Sequence, residues 1–190
     1  SGLETADTIE QALAVARATG MPAQNLLLGS ADGRIAGTVI GPIPRRAGGS
    51  DPRFPIDAAT TDSGWQGWYS GSDIPSVVDP PSGRLWSANA RTVSGVEAMR
   101  IGDGGYTNGA RARQIRDDLQ AKEQLSEADL LAIQLDDRAL FLERWHALLH
   151  QTLAQRSEPE LLALREAIGD WNGHADADTR AYRLVRDFRL

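Results

Sequence analysis

Pro80-Pro81-Ser82-Gly83-Arg84-Leu85-Trp86-Ser87-Ala88-Asn89-Ala90-Arg91 and, further on, Gly109-Ala110-Arg111-Ala112-Arg113-Gln114-Ile115-Arg116-Asp117-Asp118-Leu119 mark the place where this chain changes character. The first stretch reads as a Pro/Gly turn running into a short strand, 84–90, that ends on an asparagine. The second is a helix start crowded with arginines, and from residue 109 onward the apolar spacing is helical. Strand patterns lie before this junction and a helical array after it. The fold class is therefore α+β, with 1–106 a partial sheet-and-loop region and 107–190 a helical region of the same domain.

The same two stretches carry the chemistry. An asparagine amide can donate to a developing oxyanion, and an arginine can orient a carboxylate or an amine. Neither Asn89 nor Arg111 can attack a substrate bond, so a site built on them needs its attacking group from elsewhere. Arg113 and Arg116 share a helix face and Arg111 points away from them. An arginine in a helix first turn opposes the helix dipole, which invites a specific partner.

Upstream of the junction, residues 7–19 read as a helix with Asp7 as N-cap, Glu10 completing a capping box and Gly20 as stop. Residues 25–40 read as a hairpin around Asp32-Gly33, a turn in which both residues take positive φ. Residues 41–84 are dense in Gly, Pro, Ser and Asp and carry Trp65, Trp68 and Tyr69. They read as a long surface segment pinned down by those aromatics, and 91–106 as a second loop. Downstream, helices are expected over 109–121, after Ser126 with Leu130, Leu131, Ile133 and Leu135 as its apolar positions, over 140–153, from a Ser157 capping box through Ile168, and over 176–188.

Composition narrows the function classes. The chain has 190 residues, 41% of them hydrophobic and 24% charged, which suits a folded domain with a real core. A net charge of −6 lacks the basic footprint of a nucleic-acid binder. There is no cysteine, so disulfides and thiolate nucleophiles are excluded. No apolar run approaches the roughly 20 residues that span a bilayer.

Other candidate groups have plainer explanations. His146 and His150 stand at i, i+4 on one helix, the spacing of a two-histidine metal site, but no glutamate follows His146 as a zinc-protease pattern needs. They read as structural, and His174 as an exposed turn residue. Ser1 would be a nucleophile and base in one if it began a buried strand. It is followed by Gly-Leu-Glu-Thr-Ala-Asp and a capped helix, so it reads as a cut site.

Taken in order, Asn25, Ala31-Asp32-Gly33-Arg34-Ile35, Gly41-Pro42-Ile43-Pro44-Arg45-Arg46, Asp51-Pro52-Arg53-Phe54-Pro55, Gly64-Trp65-Gln66-Gly67-Trp68, Ser87-Ala88-Asn89-Ala90-Arg91 and Arg111-Ala112-Arg113-Gln114-Ile115 form a series of motifs. The series resembles the penicillin acylase (penicillin amidase) family of the N-terminal nucleophile hydrolase superfamily over roughly residues 5–155. The resemblance implies part of an αββα fold: N-terminal helix, β-hairpin, long Gly/Pro/Trp loops, short strand and helical array. It implies that Asn89 donates to the oxyanion hole and that Arg111 orients the nucleophile, its amine and that asparagine. It implies a structural calcium in the whole enzyme, with the Pro52 carbonyl as one ligand. The acidic ligand expected after the oxyanion asparagine has no clear match, since Arg100 occupies the ungapped position and Asp103 requires a gap.

In that family the catalytic chain starts with its nucleophilic serine on a strand, long before the equivalent of Asn25. The expectation is an internal piece of a β subunit, inactive alone. Its partners would be the rest of that subunit and an α subunit from the same precursor, in a periplasmic or secreted enzyme. The substrate would be a linear amide: the acyl side chain of a β-lactam antibiotic or an acyl-homoserine lactone. The reading from another class is a non-catalytic α+β interaction module with Trp-rich binding loops.

Overall fold

The structure, a computed structural model, describes residues 2–46, 54, 55, 57, 59, 64–102 and 105–190. Ser1, Pro52 and Asp103, all named above, lie outside the described residues. The chain divides into two compact units, residues 1–112 and 113–190.

In the first unit, α1 (Ile9–Ala18) packs Ile9 and Leu13 against Ala36 and Leu28. Its cap is Thr8 rather than Asp7: the Thr8 hydroxyl accepts from the Gln11 amide, and the Gln11 side chain reaches back to the Asp7 amide at 2.7 Å. The box is thus shifted by one residue, with glutamine doing what Glu10 was expected to do. Glu10 instead pairs with Arg34 at 2.7 Å.

Strands β1 (Gln24–Gly29) and β2 (Ile35–Ile40) form the expected antiparallel hairpin, with Gln24 opposite Ile40 and Gly29 opposite Ile35. Its turn differs from expectation. Among residues 30–34 only Gly33 has positive φ, at 87°. The Ser30 amide donates to Arg34 O and the Gly33 amide to Ser30 O, each at 3.0 Å. This is the longer turn with a left-handed glycine, favoured because the Asp32 carboxylate accepts from Ser30 Oγ and from the Arg34 amide.

The stretch 41–84 is not all loop. It holds β3 (Pro44–Arg46) and β4 (Trp65–Trp68), which pair antiparallel, and β5 (Ser76–Val78), which adds to the hairpin in the order β1-β2-β5. The tryptophans do not pin it. Trp65 and Trp68 are 66% and 52% exposed and meet edge to face at 5.3 Å. Tyr69 and the fully buried Ile74 pack against Val39 and Ile43 instead. The buried Thr38 hydroxyl is satisfied by donating to Pro75 O at 2.9 Å. Within 91–106 lies a short helix, α2 (Gly95–Ile101), where a loop was expected.

Residues 84–90 form no strand. Leu85 lies over the central strand: a Cβ placed on Gly37 would be 3.6 Å from Leu85 Cδ2. The segment crosses the sheet face instead of joining an edge, and Asn89 ends it in a left-handed conformation, φ 56°, which no strand residue adopts.

The helical series runs α3 (Ala110–Gln120), α4 (Glu127–Gln134), α5 (Glu143–Leu153), α6 (Pro159–Ala167) and α7 (Arg180–Arg189). The second unit's core gathers Leu142, Leu149, Leu153, Ile168 and Val185, with Trp145 and Trp171 against it. Ser126 and Asp129 form the capping box of α4. That helix buries none of its residues, and Leu130, Leu131 and Leu135 are exposed, contrary to their expected inward role. The cap of α6 is Glu158, not Ser157; the Glu158 carboxylate turns back onto the Ser157 amide at 3.0 Å. The last helix starts at Arg180 because Asp176 holds the preceding residues in a turn, accepting from the Asp178 amide. Among the described residues no helix is long and apolar enough to cross a membrane.

Candidate functional site

The first unit brings Asn89 and Arg111 into contact. Arg111 stands in the first turn of α3, whose start is held by Asn108 Oδ1 accepting from the Ala110 amide at 3.2 Å. Its side chain leaves the helix and its Nη2 donates twice, to Asn89 Oδ1 at 2.6 Å and to Ala88 O at 3.0 Å. The partner that a first-turn arginine needs is thus two oxygens of one loop. With Oδ1 occupied as acceptor, the Asn89 amide is turned so that Nδ2–H₂ is its outward donor. Asn89 is exposed.

The backbone around Asn89 is also held. Asn89 O accepts from the Thr107 amide at 3.0 Å and from its hydroxyl at 3.2 Å. Two residues earlier, Ser87 Oγ accepts from Asn25 Nδ2 at 2.8 Å, which ties the segment to the hairpin's first strand. A cavity of about 370 Å³ lies alongside, walled by Leu27, Val39, Leu85, Trp86, Ala88 and Ala90. Its walls are largely apolar, and they include Ala88 and Ala90, the neighbours of Asn89 in the chain.

The remaining sequence candidates make other contacts. Arg113 and Arg116 both pair with Asp117. His146 Nε2 lies 3.2 Å from Ile168 O, with the ring stacked on Trp171, so this histidine serves the packing of the second unit. His174 pairs with Asp137 at 2.6 Å beside the Arg138–His174 bridge. Among the described residues no group of three or more His, Cys, Asp or Glu side chains could hold a metal ion. Thr107 and the Asn25–Ser87 tether escaped the sequence reading. A threonine two residues before the Gly-Ala helix start looks like ordinary loop chemistry until the fold folds Asn89 back onto it.

A sequence profile of the family described as penicillin amidase matches residues 1–190. Penicillin acylase 2 proenzyme of Pseudomonas sp. (strain SE83) is 28% identical over 188 residues, covering 97% of this chain and 23% of that protein. Thermostable penicillin G acylase from Alcaligenes faecalis superposes with a TM-score of 0.63 at 19% identity, over 94% of this chain and 32% of that one. The chain therefore spans about a quarter of the length of the curated relative. The structural likeness is one of fold, an α+β arrangement of antiparallel sheet and helices.

Proposed function

The chain belongs to the penicillin amidase family, and on that premise we propose that it is part of an amidohydrolase that cleaves a linear amide through an acyl-enzyme, with Asn89 as an oxyanion donor and Arg111 as its orienting residue. The observation that supports this most is the 2.6 Å contact between Arg111 and Asn89, which leaves the asparagine amide as a directed donor.

The chemistry is that of an N-terminal serine supplied by sequence outside these 190 residues. Its α-amine takes the hydroxyl proton as Oγ attacks the amide carbonyl carbon. The electron pair driven onto the carbonyl oxygen is met by the Asn89 Nδ2–H donor, in place before the charge develops. The tetrahedral intermediate collapses with loss of the amine, which leaves carrying the proton held by the α-amine. Water then repeats the attack on the ester and releases the acid. The acyl donor is the side chain of a β-lactam antibiotic or an acyl-homoserine lactone. The partners are the rest of a β subunit and an α subunit cut from one precursor, in the periplasm or outside the cell. These 190 residues alone carry no amidase activity on this reading.

A structural calcium held in part by the Pro52 carbonyl belongs to the same proposal for the whole enzyme; its readout is a fall in melting temperature on chelation. No catalytic step depends on it.

The test is Asn89→Ala in the full-length enzyme, where turnover is expected to fall about 10²–10³-fold, the usual cost of one oxyanion donor. Near-normal kcat overturns the proposal. The exposure of Trp65 and Trp68 favours one second reading, a non-catalytic module that binds a partner through those rings. That reading holds if Trp65→Ala and Trp68→Ala abolish a partner interaction while Asn89→Ala changes no catalytic rate.

A further inference from the structure

Asn89 carries a conformation that L side chains rarely take, φ 56°, in an exposed loop. Asparagine tolerates this region better than most L residues, and here the surrounding contacts hold it there. The contacts that do so come from two residues, Thr107 and Arg111. The Thr107 amide donates to Asn89 O at 3.0 Å, and the Thr107 hydroxyl lies 3.2 Å from Asn89 O and 3.4 Å from Ala88 O. Ala88 O accepts from Arg111 as well.

The consequence is geometric. Ala88 O reports the plane of the peptide before the Asn89 Cα, and Asn89 O the plane of the peptide after it. With both planes fixed, the direction of the Cα–Cβ bond is fixed too. Arg111 shares in holding the first plane through Ala88 O and also settles which way the amide is turned. Thr107 and Arg111 together aim the side chain, and Arg111 sets its donor.

We propose that Thr107 is a positioning residue for the reaction, acting through Asn89 by holding the carbonyls on both sides of it. This rests on the oxyanion role of Asn89 proposed above. Thr107 touches no substrate. Its hydroxyl carries one proton, shared between two acceptors, so its loss removes one of the two holds on each carbonyl, leaving Ala88 O on Arg111 and Asn89 O on the Thr107 amide.

The experiment uses the full-length enzyme, with active sites counted by a sulfonyl fluoride that titrates the serine, so that kcat is expressed per folded site. Thr107→Val removes the hydroxyl at constant shape, and Thr107→Ala is a second variant lacking it. Thr107 is exposed, so neither change opens a core. Both are expected to lower kcat about five- to tenfold at unchanged KM, the cost of one lost hydrogen bond. Thr107→Ser is expected to stay within about twofold of the parent. In an Asn89→Ala background, Thr107→Val is expected to cost nothing further, since it acts only through Asn89. Normal kcat in Thr107→Val, or the same loss in the Asn89→Ala background, overturns the inference while leaving the oxyanion role standing. An Asn89→Ala enzyme with normal kcat overturns that role, and this inference with it.

Discussion

Arg111 Nη2 lies 2.6 Å from Asn89 Oδ1 and 3.0 Å from Ala88 O, so a single guanidinium nitrogen grips both an amide side chain and the peptide that carries it. Because both bonds leave from one nitrogen, the planar fork of arginine is not what the contact uses. An ammonium with three donors can make the same pair of bonds from a slightly shorter stem. In the full-length enzyme, Arg111→Met is expected to lower kcat about 10–100-fold, as loss of charge-assisted hydrogen bonds to the positioned amide does. Arg111→Lys is expected to recover most of that loss. Steady-state kinetics of the two variants decide it; equal losses would show that the contact depends on guanidinium geometry.

Glycines 33 and 41 separate two kinds of backbone demand. Both have positive φ, 87° and 94°. A Cβ on Gly33 would meet nothing within 4 Å, whereas on Gly41 it would stand 2.3 Å from the Met21 carbonyl oxygen. Gly33→Ala therefore carries only the left-handed penalty, about 1–2 kcal/mol. Gly41→Ala carries that penalty and also forces two backbone segments apart, so its cost is expected to exceed that of Gly33→Ala by at least ~1 kcal/mol. Urea unfolding of the two variants measures the difference, and equal midpoints would contradict the close approach.

These two sites also show what the chain's letters reveal. Asp32-Gly33 between apolar runs announces a hairpin because a turn is a local event, and the hairpin is there. Ser126 announces a helix start for the same reason, and it caps α4. The conformation of Asn89 is set by Thr107 and Arg111, 18 and 22 residues away. A reading by local propensity therefore extends the preceding residues into a strand that does not exist. β5 is invisible for a related cause: three residues after a proline gain strand character only from pairing with β2. The Asn89–Arg111 pairing was legible only through the order of many motifs, each unremarkable alone.

Asp136 makes part of the stability of the second unit pH-dependent. Its carboxylate accepts from Arg138 at 2.8 Å and from Gln114 Nε2 at 2.6 Å. The Arg138 hydrogen bonds, helped by Gln114 and opposed by partial burial, hold its pKa well below the ordinary value of 3.8. A carboxyl depressed on folding binds fewer protons folded than unfolded, so its contribution is complete above about pH 4 and is lost as pH falls below that. Asp136→Asn is expected to lower the urea midpoint at pH 7 and to flatten its fall between about pH 4 and pH 2. A variant as acid-sensitive as the parent would place the effect on another carboxylate.

Ile74 and Trp65 test which side chains hold the 64–78 segment down. Ile74 is 2% exposed and packs on Val39 and Ile43; Trp65 is 66% exposed and touches chiefly Trp68. Size favours the tryptophan, but stabilisation follows area removed from water, and an exposed ring removes little. Ile74→Ala deletes buried methyl groups and leaves a cavity, which costs about 2–5 kcal/mol. Trp65→Ala is expected to stay within about 0.5 kcal/mol, as surface changes do. Chemical denaturation followed by circular dichroism reads both without relying on the tryptophan being removed. If Trp65→Ala proves the costlier change, the segment is pinned by its tryptophans after all, despite their 66% and 52% exposure.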